Sequence, residues 1–234
     1  MATQTESVPE PRVPLSKERV LQAAVDVADE GGIESLTMRR LAEELGVEAM
    51  SLYYHVANKE AILDGVVDAI VKEIEEEIGS FDVPPEVDGW KAVMRERILL
   101  ARQVMLRHPW APAVFETRTN MSLPVVRYFE GLLGLMRKGG FSYDLAHHAM
   151  HALGSRALGF TQELFKPDDP ETSDEEAAAM FEEMADQFPY LVGMLGEIAH
   201  DDPGSTLGWC DDQVEFEFGL DLLLDGLQRR LHAS

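Results

Sequence analysis

The sequence predicts an all-α fold, and three observations carry that expectation. Apolar residues recur at intervals of three and four through most of the chain, and no segment alternates like a strand or carries a hairpin turn. Ser, Thr and Asn stand where helices would begin, and glycine or proline stands where they would end. Together these features divide the 234 residues into a polar arm over 1–14, a three-helix domain over 15–60 and a larger helical domain over 61–234. A connecting helix over 58–79 joins the two domains.

Residues 1–14 carry Pro9, Pro11 and Pro14 among polar neighbours and read as a mobile arm. Leu15 and Ser16 then supply a hydrophobic staple and a cap for a first helix. Its buried face is Val20, Leu21, Ala24, Val27 and Ala28, and Gly31-Gly32 ends it. The stretch from Leu36 to Lys59 organises the rest. Leu36 and Leu41 bracket a Thr37 cap, Gly46 makes a tight turn, a second short helix ends near His55, and Asn58 caps the restart. Leu41, Ala42, Leu45, Val47, Leu52 and Val56 fall on one side of both helices. Thr37, Arg39, Ala49, Met50, Ser51, Tyr53, Tyr54, His55 and Lys59 are left facing outward or partly so. Two helices joined by a short turn, the second presenting small, hydroxylic, aromatic and basic groups, suit the major groove of double-stranded DNA.

After Asn58, Ile62, Leu63, Val66, Val67, Ile70, Val71, Ile74 and Ile78 keep helical phase as far as a linker from Gly79 to Gly89. Trp90 to Arg107 reads as one amphipathic helix stopped by Pro109, followed by a short piece, Ala111 to Arg118. Helices are expected from Ser122 to Lys138, from Phe141 to Lys166, from Ser173 to Gln187 and from Pro189 to His200. A turn-rich loop, Asp201 to Gly208, leads to a last helix, Asp211 to Leu231, apolar at Val214, Phe218, Leu220, Leu222, Leu223, Leu224 and Leu227.

Composition bounds the function. The chain has 45% hydrophobic residues, enough for two cores, and a single cysteine, Cys210, which excludes an internal disulfide and suits a reducing cytoplasm. No apolar run approaches the roughly 20 residues that span a bilayer, and residues 1–14 lack an apolar signal core, so no membrane partner is expected. The balance of 20 Lys and Arg against 43 Asp and Glu, a formal charge of −23, opposes DNA binding. The excess acid lies mostly outside the motif, in IVKEIEEEIG, PDDPETSDEEAAAMFEE and CDDQVEFEFGLDLLLDG. Arg12, Lys17, Arg19, Arg39, Arg40 and Lys59 lie near the motif, and screening over about 8 Å at physiological salt favours such local charges.

The run from Leu15 to Gly65, with LTMRRLAEELGV and SLYYHVANKEAILDG, resembles the DNA-binding domain of TetR-type transcriptional regulators. GFSYDLAHHAMHALGSRALGF and FEFGLDLLLDGLQRRL continue the resemblance, more weakly, toward the tetracycline-repressor branch. The resemblance implies a cytoplasmic repressor that binds a pseudo-palindromic operator as a homodimer and leaves it when a small-molecule effector binds the C-terminal domain. It matches Thr37, Arg39, Ala49, Met50, Ser51, Tyr53, Tyr54, His55 and Lys59 to positions that contact DNA. Lys59 and His55 suit phosphates, Tyr53 offers them a hydroxyl, Ala49 and Met50 suit a thymine methyl, and Arg39 suits a guanine edge or a phosphate. An amide often stands at the position of Ala49 in that branch, so its absence points away from the tetracycline operator.

Two helices read as too apolar for a monomer. Leu153, Gly154 and Leu158 on one, and Gly219, Leu222, Leu223 and Gly226 on the other, allow close helix approach. The resemblance places these two helices in a four-helix dimer interface, although packing within one chain would use the same pattern. Trp90, Met94, Met105, Trp110, Phe115, Met121, Phe129, Met150 and Phe160 are candidates to line an adaptable apolar effector pocket, with His147 and His151 as polar lining. At helical spacing the apolar set also suits plain core. The short piece PAVFETRT lacks the histidine that holds the metal of a magnesium-bound drug in that branch, whereas Glu163 matches a metal-holding glutamate contributed by the partner chain. Magnesium-tetracycline is therefore not the expected effector, and no cofactor is expected.

His147, His148 and His151 are the remaining cluster, and a spacing of four on a helix is compatible with a transition metal. No HExxH pattern or nearby carboxylate pair accompanies them, so no metal site and no enzyme activity is expected. A metal-binding helical-bundle enzyme and a ligand-insensitive DNA-binding scaffold are the alternative readings.

Overall fold

The computed structural model describes residues 14–79, 89–159, 187–190, 192–193 and 212–233, and within them every regular element is helical. The helices are α1 (Lys17–Gly31), α2 (Met38–Leu45), α3 (Ala49–Leu52), α4 (Lys59–Ile78), α5 (Gly89–Arg107), α6 (Ala111–Thr117), α7 (Leu123–Lys138), α8 (Tyr143–Gly159) and α9 (Asp212–Ala233). A 3₁₀ turn, Ile33–Ser35, separates α1 from α2. The chain folds as two compact units. One takes residues 1–79 with 103–129, and the other takes 80–102 with 130–234.

Local signals set the ends of the helices in the first unit. The side chains of Ser16, Thr37 and Asn58 each accept a hydrogen bond from the backbone N–H three residues on, at 3.2, 3.1 and 2.8 Å. Glu18 in the first turn of α1 is held below the ordinary carboxylate value by its own backbone N–H and by Ser16. Val20, Ala23, Ala24, Val25, Val27 and Ala28 of α1 are buried with Leu36, Leu41, Ala42, Leu52 and Val56, and with the inner face of α4. Gly65 on α4 is buried where a Cβ would collide with the Leu21 side chain, so the missing side chain lets α1 and α4 touch.

Residues 103–129 fasten to α4 by polar contacts. Arg118 donates to Glu60 at 2.7 Å and lies 3.4 Å from Asp64, Ser122 donates to Asp68, and Arg107 spans Glu73 and Glu77 at 2.7 and 2.9 Å. These carboxylates descend one side of α4 at intervals of four and five residues. His108, just past the end of α5, is 7% exposed. Its Nδ1 lies 2.8 Å from Asp29 on α1 and its Nε2 lies 3.1 Å from Glu73 on α4, while the Trp110 indole donates to Asp29 at 2.7 Å.

The second unit packs α8 and α9 with residues 89–102 of α5 and 130–138 of α7 around Trp90, Met94, Ile98, Leu135, Met136, Phe141, Leu153, Phe216, Leu220 and Leu224. Trp90 meets Phe141 edge-on with ring centroids 4.6 Å apart. Gly139 sits against the Trp90 ring, where a Cβ would overlap it, and Gly140 turns the chain at φ 93°. A charged seam joins α5 to α9: Lys91 pairs with Asp225, Arg95 with Asp221 and Glu217, and Arg102 with Gln213. Numbers rise along α5 as they fall along α9, so the two helices run antiparallel.

Several expected boundaries move. Phe141 is fully buried ahead of α8 rather than inside it, and the Ser142 hydroxyl caps that helix by accepting from the Leu145 N–H. Leu21, Leu45, Val47 and Leu63 are half-buried, whereas Ala23 and Val25 join the core. Val214, Phe218 and Leu222 face outward from α9, because Phe216, Leu220, Leu224 and Leu227 already form its inner stripe. Most of the arm, Arg12, the linker between Gly79 and Gly89, Phe160, Glu163, the expected helix Ser173 to Gln187 except Gln187 itself, which is a turn, the loop Asp201 to Gly208 and Cys210 lie outside the described residues.

Candidate nucleic-acid interface

The helix-turn-helix is built from its turn outward. Gly46 adopts φ 63°, ψ 38°, a left-handed conformation that side chains with a Cβ resist. That conformation lets its N–H reach the Glu43 carbonyl at 3.2 Å and the Val47 N–H reach the Ala42 carbonyl at 3.0 Å, a paired closure of α2. The chain leaves the turn through Glu48, whose carbonyl accepts from the Ser51 N–H at 2.8 Å to start α3. Leu52 is 0% exposed, and the His55 and Val56 N–H groups both return to its carbonyl at 2.9 Å. Leu52 and Val56 anchor the segment inward. On the opposite side Met50, Tyr53 and Tyr54 are 72%, 47% and 89% exposed, the reverse of the burial usual for large apolar and aromatic groups.

The other expected contact residues surround that surface. Thr37 and Lys59 are exposed, while Ala49, Ser51 and His55 are half-buried around α3. The Thr37 hydroxyl already accepts from the Arg40 N–H, so its capping role is structural whatever else it does. Arg39 is exposed and lies 3.0 Å from Glu43, and Arg40 lies 3.0 Å from Glu30 and 3.4 Å from Glu44. These pairs are solvated and worth little, so Arg39 is available to exchange a carboxylate for a phosphate. Lys59 opens α4 beside its Asn58 cap, adding a cation to the positive end of a helix dipole.

Comparison with known proteins decides what this head belongs to. Residues 20–66 match the family described as bacterial regulatory proteins, tetR family, and residues 84–231 match the tetracyclin repressor-like C-terminal domain. The chain belongs to the TetR family. It is 30% identical to the HTH-type transcriptional repressor DrrR1 of Streptomyces coeruleorubidus over 93% of this chain and 79% of that one. It is 28% identical to the class D tetracycline repressor protein of Escherichia coli over 94% of this chain and 92% of that one. Among solved structures, apo ActR from Streptomyces coelicolor superposes with a TM-score of 0.71 at 26% identity, over 94% of this chain and 98% of that one. The complex of ActR with actinorhodin gives 0.71 at 27% identity, over 94% and 99%.

The remaining residues expected to act in this TetR-family chain fall in different environments. Trp90 and Met94 are enclosed in the core of the second unit, and Met150 packs against that core. Trp110 is buried in the first unit and committed to Asp29; Met105, Phe115 and Phe129 are half-buried there, and Met121 is 62% exposed. His147, His148 and His151 are all exposed, with the His147 and His151 rings 4.7 Å apart. Among the described residues no three His, Cys, Asp or Glu side chains are placed to hold a metal ion. Leu153 is buried within its own chain, Gly154 and Leu158 are half-buried, and Gly219 lies where the chain's own Arg156 guanidinium crosses α9. Leu222, Leu223 and Gly226 line an open groove of about 790 Å³ between α8 and α9, with Leu145, His148 and Ala152 opposite. Periodicity had marked none of Asp29, Glu73, His108 or Arg118, whose contacts join residues 34 or more positions apart.

Proposed function

We propose that this TetR-family regulator is a repressor that binds a pseudo-palindromic DNA operator as a homodimer and is released by a small, largely apolar effector. The observation that carries the reading is the pair of opposed faces on the α3 segment. Leu52 and Val56 are sunk into the head while Met50, Tyr53 and Tyr54 stand out in water, in a domain that matches the family's DNA-binding region. Met50 and Ala49 would meet thymine methyls, Tyr53, Tyr54 and Ser51 would donate to phosphates or base edges, and Thr37, Arg39, His55 and Lys59 would set the register on the backbone. DrrR1 and the tetracycline repressors, by their names, support repression, and the ActR–actinorhodin complex supports response to a small molecule.

The groove between α8 and α9, with the exposed Val214, Phe218 and Leu222, supports a dimer interface that includes Gly154, Leu158, Leu222, Leu223 and Gly226. A twofold dimer would set the two α3 segments about 34 Å apart or a multiple of it, which is why the operator is a pseudo-palindrome. No helix among the described residues is long and apolar enough to cross a membrane, which is compatible with work in the cytoplasm.

The test is direct. Tyr54→Ala and Lys59→Ala are expected to weaken operator binding about tenfold each, and Lys59→Ala to lower the salt slope by about one phosphate contact. Both variants should melt with the wild type, because both side chains are exposed. Unchanged affinity in both would contradict the assignment of α3.

A further inference from the structure

We infer that Arg97 on α5 is the anchor for the effector, and that the effector is a small organic acid whose carboxylate this guanidinium binds. The inference rests on the proposed effector response and names the chemistry behind it. Arg97 stands on the inward stripe of α5, one turn from Met94 and next to Ile98, both buried. Its Nε is shielded from water and has no hydrogen-bond partner. Among the described residues no carboxylate lies within ion-pair distance of it.

Arg156 shares the feature of a shielded Nε outside any hydrogen bond, but its guanidinium donates to the Glu215 carbonyl. The other cations on the same stretch of α5 are engaged with α9, Lys91 by Asp225, Arg95 by Asp221 and Glu217, and Arg102 by Gln213. Leaving a group such as the Arg97 guanidinium unsatisfied is unfavourable, so a partner that arrives from outside would gain by binding it. The guanidinium lies beside an exposed glycine: a Cβ on Gly131 of α7 would come within 3.3 Å of the Arg97 Nη2, so the absent side chain lets the guanidinium lie against α7 at the surface. A planar fork of N–H donors matches a carboxylate through two parallel hydrogen bonds.

The experiment uses the purified full-length chain and three aromatic acids, benzoate, 1-naphthoate and 9-anthroate, each with its methyl ester. Calorimetric titration should show at least one acid binding about tenfold or more tightly than its ester, the range expected for a charge-assisted hydrogen bond. Arg97→Gln should abolish the preference, and Arg97→Lys should keep part of it. In the ligand-free protein Arg97→Met should melt at the wild-type temperature or above, since it removes an unsatisfied group. No acid preference in the wild type, the same preference in Arg97→Gln, or a lower melting temperature for Arg97→Met would overturn the inference. Binding to a selected operator duplex, measured without any acid, separates the two levels. Lost DNA binding with the acid preference intact would overturn the repressor reading alone, and intact DNA binding without the preference would overturn only the role of Arg97.

Discussion

His108 ties three chain segments together at one point, through Asp29 on α1, Glu73 on α4 and the backbone just beyond α5. A carboxylate only accepts, so both contacts are hydrogen bonds at once when both ring nitrogens carry protons. Replacing the ring by alanine would leave two carboxylates without that donor, and His108→Ala is expected to cost about 1–3 kcal/mol in urea unfolding. The same site has a pH signature. Burial penalises the charged Glu73 carboxylate, but hydrogen bonds from Arg107 and His108 outweigh it and hold the group below its ordinary 4.5. A depressed carboxyl contributes stability that is complete above 4.5 and fades as the pH falls through the folded value. Glu73→Gln should therefore flatten the acid limb of the stability curve below that pH, and an unchanged limb would remove Glu73 from the account. None of this was legible in the sequence. Asp29 lies 79 positions from His108 and Glu73 lies 35, and periodicity says which face of a helix is apolar but not which distant polar groups meet.

The helices themselves were legible because their signals are local. Ser16, Thr37 and Asn58 cap as their positions suggested, and Leu36 and Leu41 flank the Thr37 cap as a buried staple pair. The α2–α3 turn depends on Gly46 at φ 63°, where a Cβ meets no neighbour and only the backbone conformation resists it. Gly46→Val should destabilise the head by about 1–2 kcal/mol, and Gly46→Asn by less, since asparagine tolerates the left-handed region. Equal melting of both variants with the wild type would contradict a turn held by that conformation. What sequence could not divide was the two-sided apolar pattern of α9. Phe216, Leu220, Leu224 and Leu227 turn inward while Val214, Phe218 and Leu222 turn out, a choice made by the packing of α5 and α8 rather than by α9.

At the scale of the whole molecule the opposition is between a specific motif and an adverse charge. A formal charge of −23 repels DNA, yet Lys59 and Arg39 stand exposed at the head, and screening over about 8 Å favours what lies next to the phosphates. Nonspecific binding should then be weak and salt-sensitive, with discrimination carried by the α3 side chains. The family and the all-helical architecture followed from the sequence because the helix-turn-helix spacing is continuous from Leu36 to Lys59. The assembly was less legible, since an apolar helix face reads the same whether its own chain or a second copy covers it. The measurement that reaches the central claim most directly is selection of bound duplexes from a random pool by the purified protein at about 100 mM salt, where phosphate contacts alone are weak. Enrichment of a pseudo-palindrome, its half-sites one helical turn or a multiple apart, is the predicted result. A folded protein that enriches no sequence would contradict the account.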